Sequence, residues 1–211
     1  MISLACCASF FENPEAFVVN IQRTAVIQHM YECGALMMAE FFSKVLEPIA
    51  PGMTAYCRPD EVKAQLGLPF DIESQEARLT EIFNPLRKLF EHAQLQLLIG
   101  DGDLCSVFDA MSAAVSASSD AVVFLPCLDD KTFAVCAWGH RWICLDSHAR
   151  SVSGKNRATT SLLCSGLTEM SLRDTLCELL LRGGDEAAYK RASTGGLWSL
   201  VLKPGARFCA E

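Results

Sequence analysis

Histidine is scarce in this chain: there are four in 211 residues. The 11 cysteines include no C-x-x-C pair. Paired ligands at short spacing are what a structural zinc site normally needs, so none is expected, and no other cofactor is indicated. A stripe of lysines and arginines is also lacking, and the net charge is −7. Phosphate neutralisation requires such a stripe, so nucleic acid is excluded as a partner, whereas a basic protein surface fits. No apolar run approaches the length of a membrane span. The apolar start, Met1-Ile2-Ser3-Leu4-Ala5-Cys6-Cys7, has no basic leader, and a signal peptide is not expected. The odd cysteine count, without framework spacing, points to a reducing intracellular compartment with mostly free, buried thiols. Cys6-Cys7 read as small apolar residues entering a core, with palmitoylation as the alternative.

What is present is a hydrophobic chain, 51% apolar, long enough for one substantial core. No repeat or linker divides it, so residues 1–211 are expected to form one domain. The first half reads as helical. Asn13 before Pro14 is a candidate N-cap with proline at the first helical position. Leu36, Ala39, Phe42 and Leu46 recur at helical spacing up to Pro48, and Pro59-Asp60-Glu61 opens a helix ending at Gly67. A longer helix is expected from Ser74 to His92, with Leu79, Ile82, Phe83, Leu86 and Phe90 on one face and a kink at Pro85.

The second half changes period. Gln96–Ile99 is a short strand candidate, followed by a helix through Val107, Met111 and Val115. Ala121–Cys127, Thr132–Trp138 and Arg141–Leu145 are apolar runs separated by Asp129-Asp130 and Gly139-His140, which predicts an antiparallel meander. Ser171-Leu172-Arg173-Asp174 starts a helix to Leu181, and Trp198–Leu202 is a last strand. Helices first and strands afterwards give an α+β fold, a helical lobe packed on an antiparallel sheet.

The chemistry centres on Trp142-Ile143-Cys144-Leu145-Asp146-Ser147-His148. On a regular strand Asp146 and His148, at i and i+2, share one face. There a carboxylate can fix the tautomer of an imidazole and stabilise its protonated form, which is the base–orienter half of a triad. A polar strand end running into the loop Ala149–Gly154 is the plainer reading of the same residues. The missing member is a nucleophile, for which a thiol is the first candidate. Cys136 and Cys144 lie within strands and read as core; Trp138 and His140 at the hairpin are at most adjacent to a site.

From Asp120 to Leu180 the sequence resembles the deubiquitinating cysteine protease domain of herpesvirus large tegument proteins, and more so its cellular and bacterial relatives. The string Trp142–Arg150 carries the resemblance, followed by Gly154, a strand at Ser161–Cys164, a Leu-rich helix at Leu172–Leu181 and a last strand at Leu197–Lys203. The resemblance implies a papain-like fold, a Cys–His–Asp triad with the thiol at the start of the first long helix, and ubiquitin or a ubiquitin-like protein as partner. It implies hydrolysis after the C-terminal glycine of ubiquitin. In the family register Ala8-Ser9-Phe10-Phe11-Glu12 stands where the oxyanion glutamine ends the motif. Gln22-Arg23-Thr24-Ala25 stands where the nucleophile begins the helix. Arg23 cannot attack a carbonyl, and Glu12 would repel an oxyanion. Either the chain is a silenced member, or the nucleophile is Cys33, with Gln28 five residues ahead of it and a helix opening at Gly34. A non-catalytic ubiquitin-binding module and a different thiol hydrolase are the alternatives.

Overall fold

The computed structural model describes residues 2–20, 24–41, 58–67, 77–118, 121–128, 131–139, 141–150, 160–180 and 195–206. Three helices come first: α1 (Ile2–Glu12), α2 (Pro14–Asn20) and α3 (Thr24–Glu40). Helices α4 (Pro59–Gly67) and α5 (Ala77–His92) follow, then strand β1 (Ala93–Gly102) and helix α6 (Leu104–Ser116). The meander comprises β2 (Val122–Leu128), β3 (Lys131–Thr132), β4 (Ala134–Trp138), β5 (Arg141–Arg150) and β6 (Thr160–Leu167). Helix α7 (Glu169–Leu180) and strand β7 (Gly195–Leu202) complete it. The strands form one antiparallel sheet in the order β1-β7-β2-β4-β5-β6, with β3 paired to β2. The fold is α+β.

Strand alternation explains the layering. Val123, Leu125, Ala134, Cys136, Ile143 and Leu145 face a core made with α1, α3 and α5. Val122, Phe124, Val135, Ala137, Trp142 and Cys144 face a second core under α6 and α7, through Leu104, Val107, Phe108, Met111 and Leu172. Helices thus cover both faces of the sheet, rather than the single lobe expected from the chain order. Runs apolar at every position, such as Val122–Leu125, follow from that double burial.

Helix α1 is enclosed on nearly all sides. Leu4, Ala5, Cys6, Cys7, Ala8, Phe10 and Phe11 are all buried. It packs on α3 and α5 and crosses β4 and β5. A helix buried all round needs small and apolar residues without a polar stripe, and its sequence has that character. Phe10 meets Phe17 of α2 edge to face, with ring centroids 5.6 Å apart.

Local signals placed several boundaries well. Asn13 caps α2: its Oδ1 accepts the Ala16 amide at 2.9 Å, with Pro14 at the first helical position. Helix α4 spans Pro59–Gly67 and α6 passes through Val107, Met111 and Val115, as read. Helix α5 ends at His92 and contains Pro85. Gly139 begins the two-residue β4–β5 turn at φ 59°, closed by the Trp138–Arg141 pair.

Other expectations differ: the strand expected at Arg141–Leu145 runs on to Arg150, and the one expected at Thr132–Trp138 is divided at Phe133 into β3 and β4. The first strand runs from Ala93 to Gly102, well beyond Gln96–Ile99, because pairing with β7 supplies hydrogen bonds that sequence pattern alone does not announce. Helix α7 begins at Glu169, two residues before Ser171. Thr168 is the cap, its amide donating to Ser171 Oγ at 2.8 Å while its Oγ1 accepts the Ser171 amide at 3.3 Å. The buried face of α3 is Met30, Gly34, Met37 and Phe41, while Leu36 and Ala39 are exposed. Phe42, Leu46 and the 129–130 turn lie outside the described residues.

Candidate functional site

The strand registers gather several chain ends at one end of the sheet. Gly102 pairs with Gly195, Gly195 with Leu128, Leu128 with Lys131, and Ala134 with Leu145. Beyond Leu145, β5 carries Asp146 to Arg150 out of that same end. The first turn of α1 is anchored there from one face, where Ser3 Oγ donates to the Thr132 carbonyl at 3.2 Å. Helix α6 starts there on the other face, directly after Gly102. Two helices thus begin at this end of the sheet, α1 beside β3 on one face and α6 next to the edge strand β1 on the other, where Asp103 caps it.

Asp146 and His148 both lie on the backbone of β5. Their side chains, and that of His140, fall outside the described residues. Asp146 pairs with Leu162 and Arg150 with Thr160, so four steps on β5 match two on β6. The two extra residues form an irregularity in which His148 falls. The i, i+2 rule that puts the pair on one face assumes a regular pleat, which this stretch does not have. Asp146 has the register parity of Trp142 and Cys144, the strand positions on the α6–α7 side.

The expected nucleophile positions fare differently. Gln22 and Arg23 lie outside the described residues, immediately ahead of α3. That long helix packs chiefly on α1 and α5, and α1 is the helix laid against β4 and β5. Glu12 is the exposed last residue of α1, about 13.5 Å along the helix from the Ser3 anchor at 1.5 Å per residue. The structure does not bring Glu12 to the exit of β5.

Cys33 does not open a helix; it is inside α3, which continues through Gly34 to Glu40. Its own amide is committed to the helical ladder, so it has neither the dipole nor the free donors of a helix start. Partial burial and the neighbouring Glu32 carboxylate push its thiol pKa up, which opposes thiolate formation. Gln28 is about 140° around the helix from it, and its amide donates instead to Glu32 Oε1 at 2.8 Å. The residue actually beside Cys33 is His29, one turn earlier, with Nε2 3.6 Å from Sγ. The sequence does announce that pair, as a histidine and a cysteine four residues apart on a helix, where the Gln28–Cys33 spacing of five does not bring side chains together.

The other described thiols divide by burial. Cys6, Cys7, Cys136 and Cys144 are core residues, as their strand and helix positions suggested. Cys7 donates to the Ser3 carbonyl at 2.9 Å, and burial raises its pKa and that of Cys136 well above the ordinary value. Cys105 is exposed in the first turn of α6, after the Asp103 cap, and its Sγ receives Arg173 Nη2 from α7 at 3.6 Å. Sequence reading missed it because the guanidinium comes from a helix 68 positions away. Among the described residues no three His, Cys, Asp or Glu side chains are grouped to hold a metal, and no helix is long and apolar enough to cross a membrane.

No family model, curated protein or solved structure matches this chain.

Proposed function

We propose that this chain is a papain-like domain of the tegument-deubiquitinase type that engages ubiquitin, with its cleft at the sheet end where β5 carries Asp146 and His148 outward. One observation carries the reading. The string Trp142–Arg150 lies on one strand, β5, which carries Asp146 and His148 out of the sheet at the end where helices α1 and α6 begin on opposite faces. A thiol hydrolase needs a helix N-terminus and a base–orienter pair at one place, because the dipole favours thiolate while the imidazole removes its proton. Substrate would be the bond after the ubiquitin C-terminal glycine. A narrow slot excluding side chains would select for the glycine tail, and the net acidic chain suits a basic partner surface.

A second reading is favoured by the nucleophile. Arg23 holds the position that the resemblance gives to the thiol, and Cys33 is a mid-helix thiol whose ionisation is disfavoured. On this reading the domain binds ubiquitin without turning it over.

A ubiquitin probe with a C-terminal thiol-trapping group separates the two, applied to the chain itself, to Arg23→Cys and to Cys33→Ala. Labelling of the unchanged chain that disappears in Cys33→Ala establishes an active protease using Cys33. Labelling that arises only in Arg23→Cys establishes the family register and a silenced enzyme. A titration of isotope-labelled ubiquitin reads binding independently. No labelling in any variant together with no shifted ubiquitin resonances overturns both readings.

A further inference from the structure

The pair His29–Cys33 belongs neither to the exit of β5 nor to a core. We propose that these two side chains form a preorganised two-ligand site for a borderline divalent cation, zinc in the first instance, on the outer surface of α3. The site stands independently of the ubiquitin reading.

Geometry is the main support. A tetrahedral zinc with Zn–S of about 2.3 Å and Zn–N of about 2.0–2.1 Å separates its sulfur and nitrogen ligands by about 3.5 Å. Cys33 Sγ and His29 Nε2 are 3.6 Å apart, against 3.9 Å for Nδ1. The two ligand atoms are therefore separated by the length of one edge of the coordination tetrahedron. Their spacing of one helical turn is fixed by α3, whose adjoining face is held by buried Met30 and Met37. Little ordering is left for the metal to impose.

Access and charge agree. His29 is exposed and Cys33 is half-buried, so a hydrated ion can reach both. The Glu32 carboxylate, whose field acts on Cys33, adds negative charge beside the site. On binding, zinc replaces the Cys33 thiol proton, which passes to the buffer, and neutral His29 donates its Nε2 lone pair. Water completes the tetrahedron in the isolated chain. Thiolate and imidazole select zinc over magnesium and calcium, which require oxygen donors.

The test is titration of the reduced full chain with cobalt(II), read by thiolate-to-cobalt absorption, followed by displacement with zinc. Cys33→Ala sets the background from the other thiols. The signal above that background should weaken in affinity by about tenfold or more in His29→Ala, since loss of even an outer-shell partner costs about 10–100-fold. The swap His29→Cys/Cys33→His keeps the ligand pair and should restore binding. Circular dichroism checks that each variant keeps its helix content. Equal affinity of His29→Ala and the unchanged chain, or no signal above Cys33→Ala, overturns the proposal.

Discussion

Truncating Met37 and Leu36 one at a time discriminates between the two faces that α3 can present. Met37 is 2% exposed in the core beneath α3, and Leu36 is 41% exposed. Met37→Ala removes three buried heavy groups, worth about 2.4 kcal/mol at about 0.8 kcal/mol per methylene equivalent. The unfilled cavity brings the loss into the range of about 2–5 kcal/mol. Leu36→Ala removes atoms largely in water already and gains slightly in helix propensity, so its effect should stay within about 0.5 kcal/mol. Urea unfolding followed by far-ultraviolet circular dichroism measures both. With a slope of about 2–3 kcal/mol per molar, Met37→Ala should lower the midpoint by about 1 M and Leu36→Ala by about 0.2 M at most. A Leu36→Ala loss equal to or larger than that of Met37→Ala would refute the assigned face and restore the Leu36–Ala39 stripe.

Other expectations concern caps, turns and pH. Asn13→Ala should cost about 1 kcal/mol by removing the bond to the Ala16 amide, while Asn13→Asp should be nearly neutral in the same urea assay. Gly139→Ala should destabilise by about 1–2 kcal/mol, because a Cβ at φ 59° is strained even with open space around it, and Gly139→Asn should recover part of that loss. The Ser106 side chain and amide hold the Asp103 carboxyl below its usual pKa. Its ionised form is thus favoured in the folded state, and the resulting stability is present above the unfolded carboxylate value of about 3.9 and is lost as pH falls through the lowered one. Thermal melts of the chain and of Asp103→Asn should therefore converge as pH drops below about 4. A constant gap between them would remove the charge from the cap.

The legible parts of the fold were those set by short-range chemistry. Asn13-Pro14, Pro59 to Gly67 and the hairpin turn at Gly139 each contain their own stop or start signal, and the structure uses them as such. The misread parts depended on what packs from afar. Leu36 and Met37 are adjacent and both apolar, so only the position of α1 and α5 decides which is buried. Ser171 and Thr168 are both competent caps, and the reciprocal bonds between them fix the start of α7 at the earlier residue. The full length of β1 required knowing that β7, almost a hundred residues later, pairs with it.

The same distinction governs the thiols. Burial can be read from sequence because it follows from apolar neighbours: Cys6 and Cys7 lie among Leu4, Ala8 and Phe10, and Cys136 and Cys144 among strand residues. The neighbours of an accessible thiol are legible only when they come from its own helix. The apolar surroundings that identify Cys7 and Cys136 as core also raise their pKa, so legible cysteines are the inert ones. Cys33, Cys105 and Cys127 escape full burial: Cys33 has His29 within its own helix, Cys105 has Arg173 from α7, and Cys127 has the Leu125 carbonyl and the Thr132 hydroxyl. Mild alkylation of the native chain with mapping of modified peptides should therefore modify Cys105 and Cys33 before Cys6, Cys7, Cys136 or Cys144. Zinc should slow modification of Cys33 and leave Cys105 unchanged, because a guanidinium repels a cation that an imidazole binds. Early modification of Cys7 or Cys136 would mean that α1 does not fill the space between α3 and the sheet, and the buried helix laid against β4 and β5 would go with it.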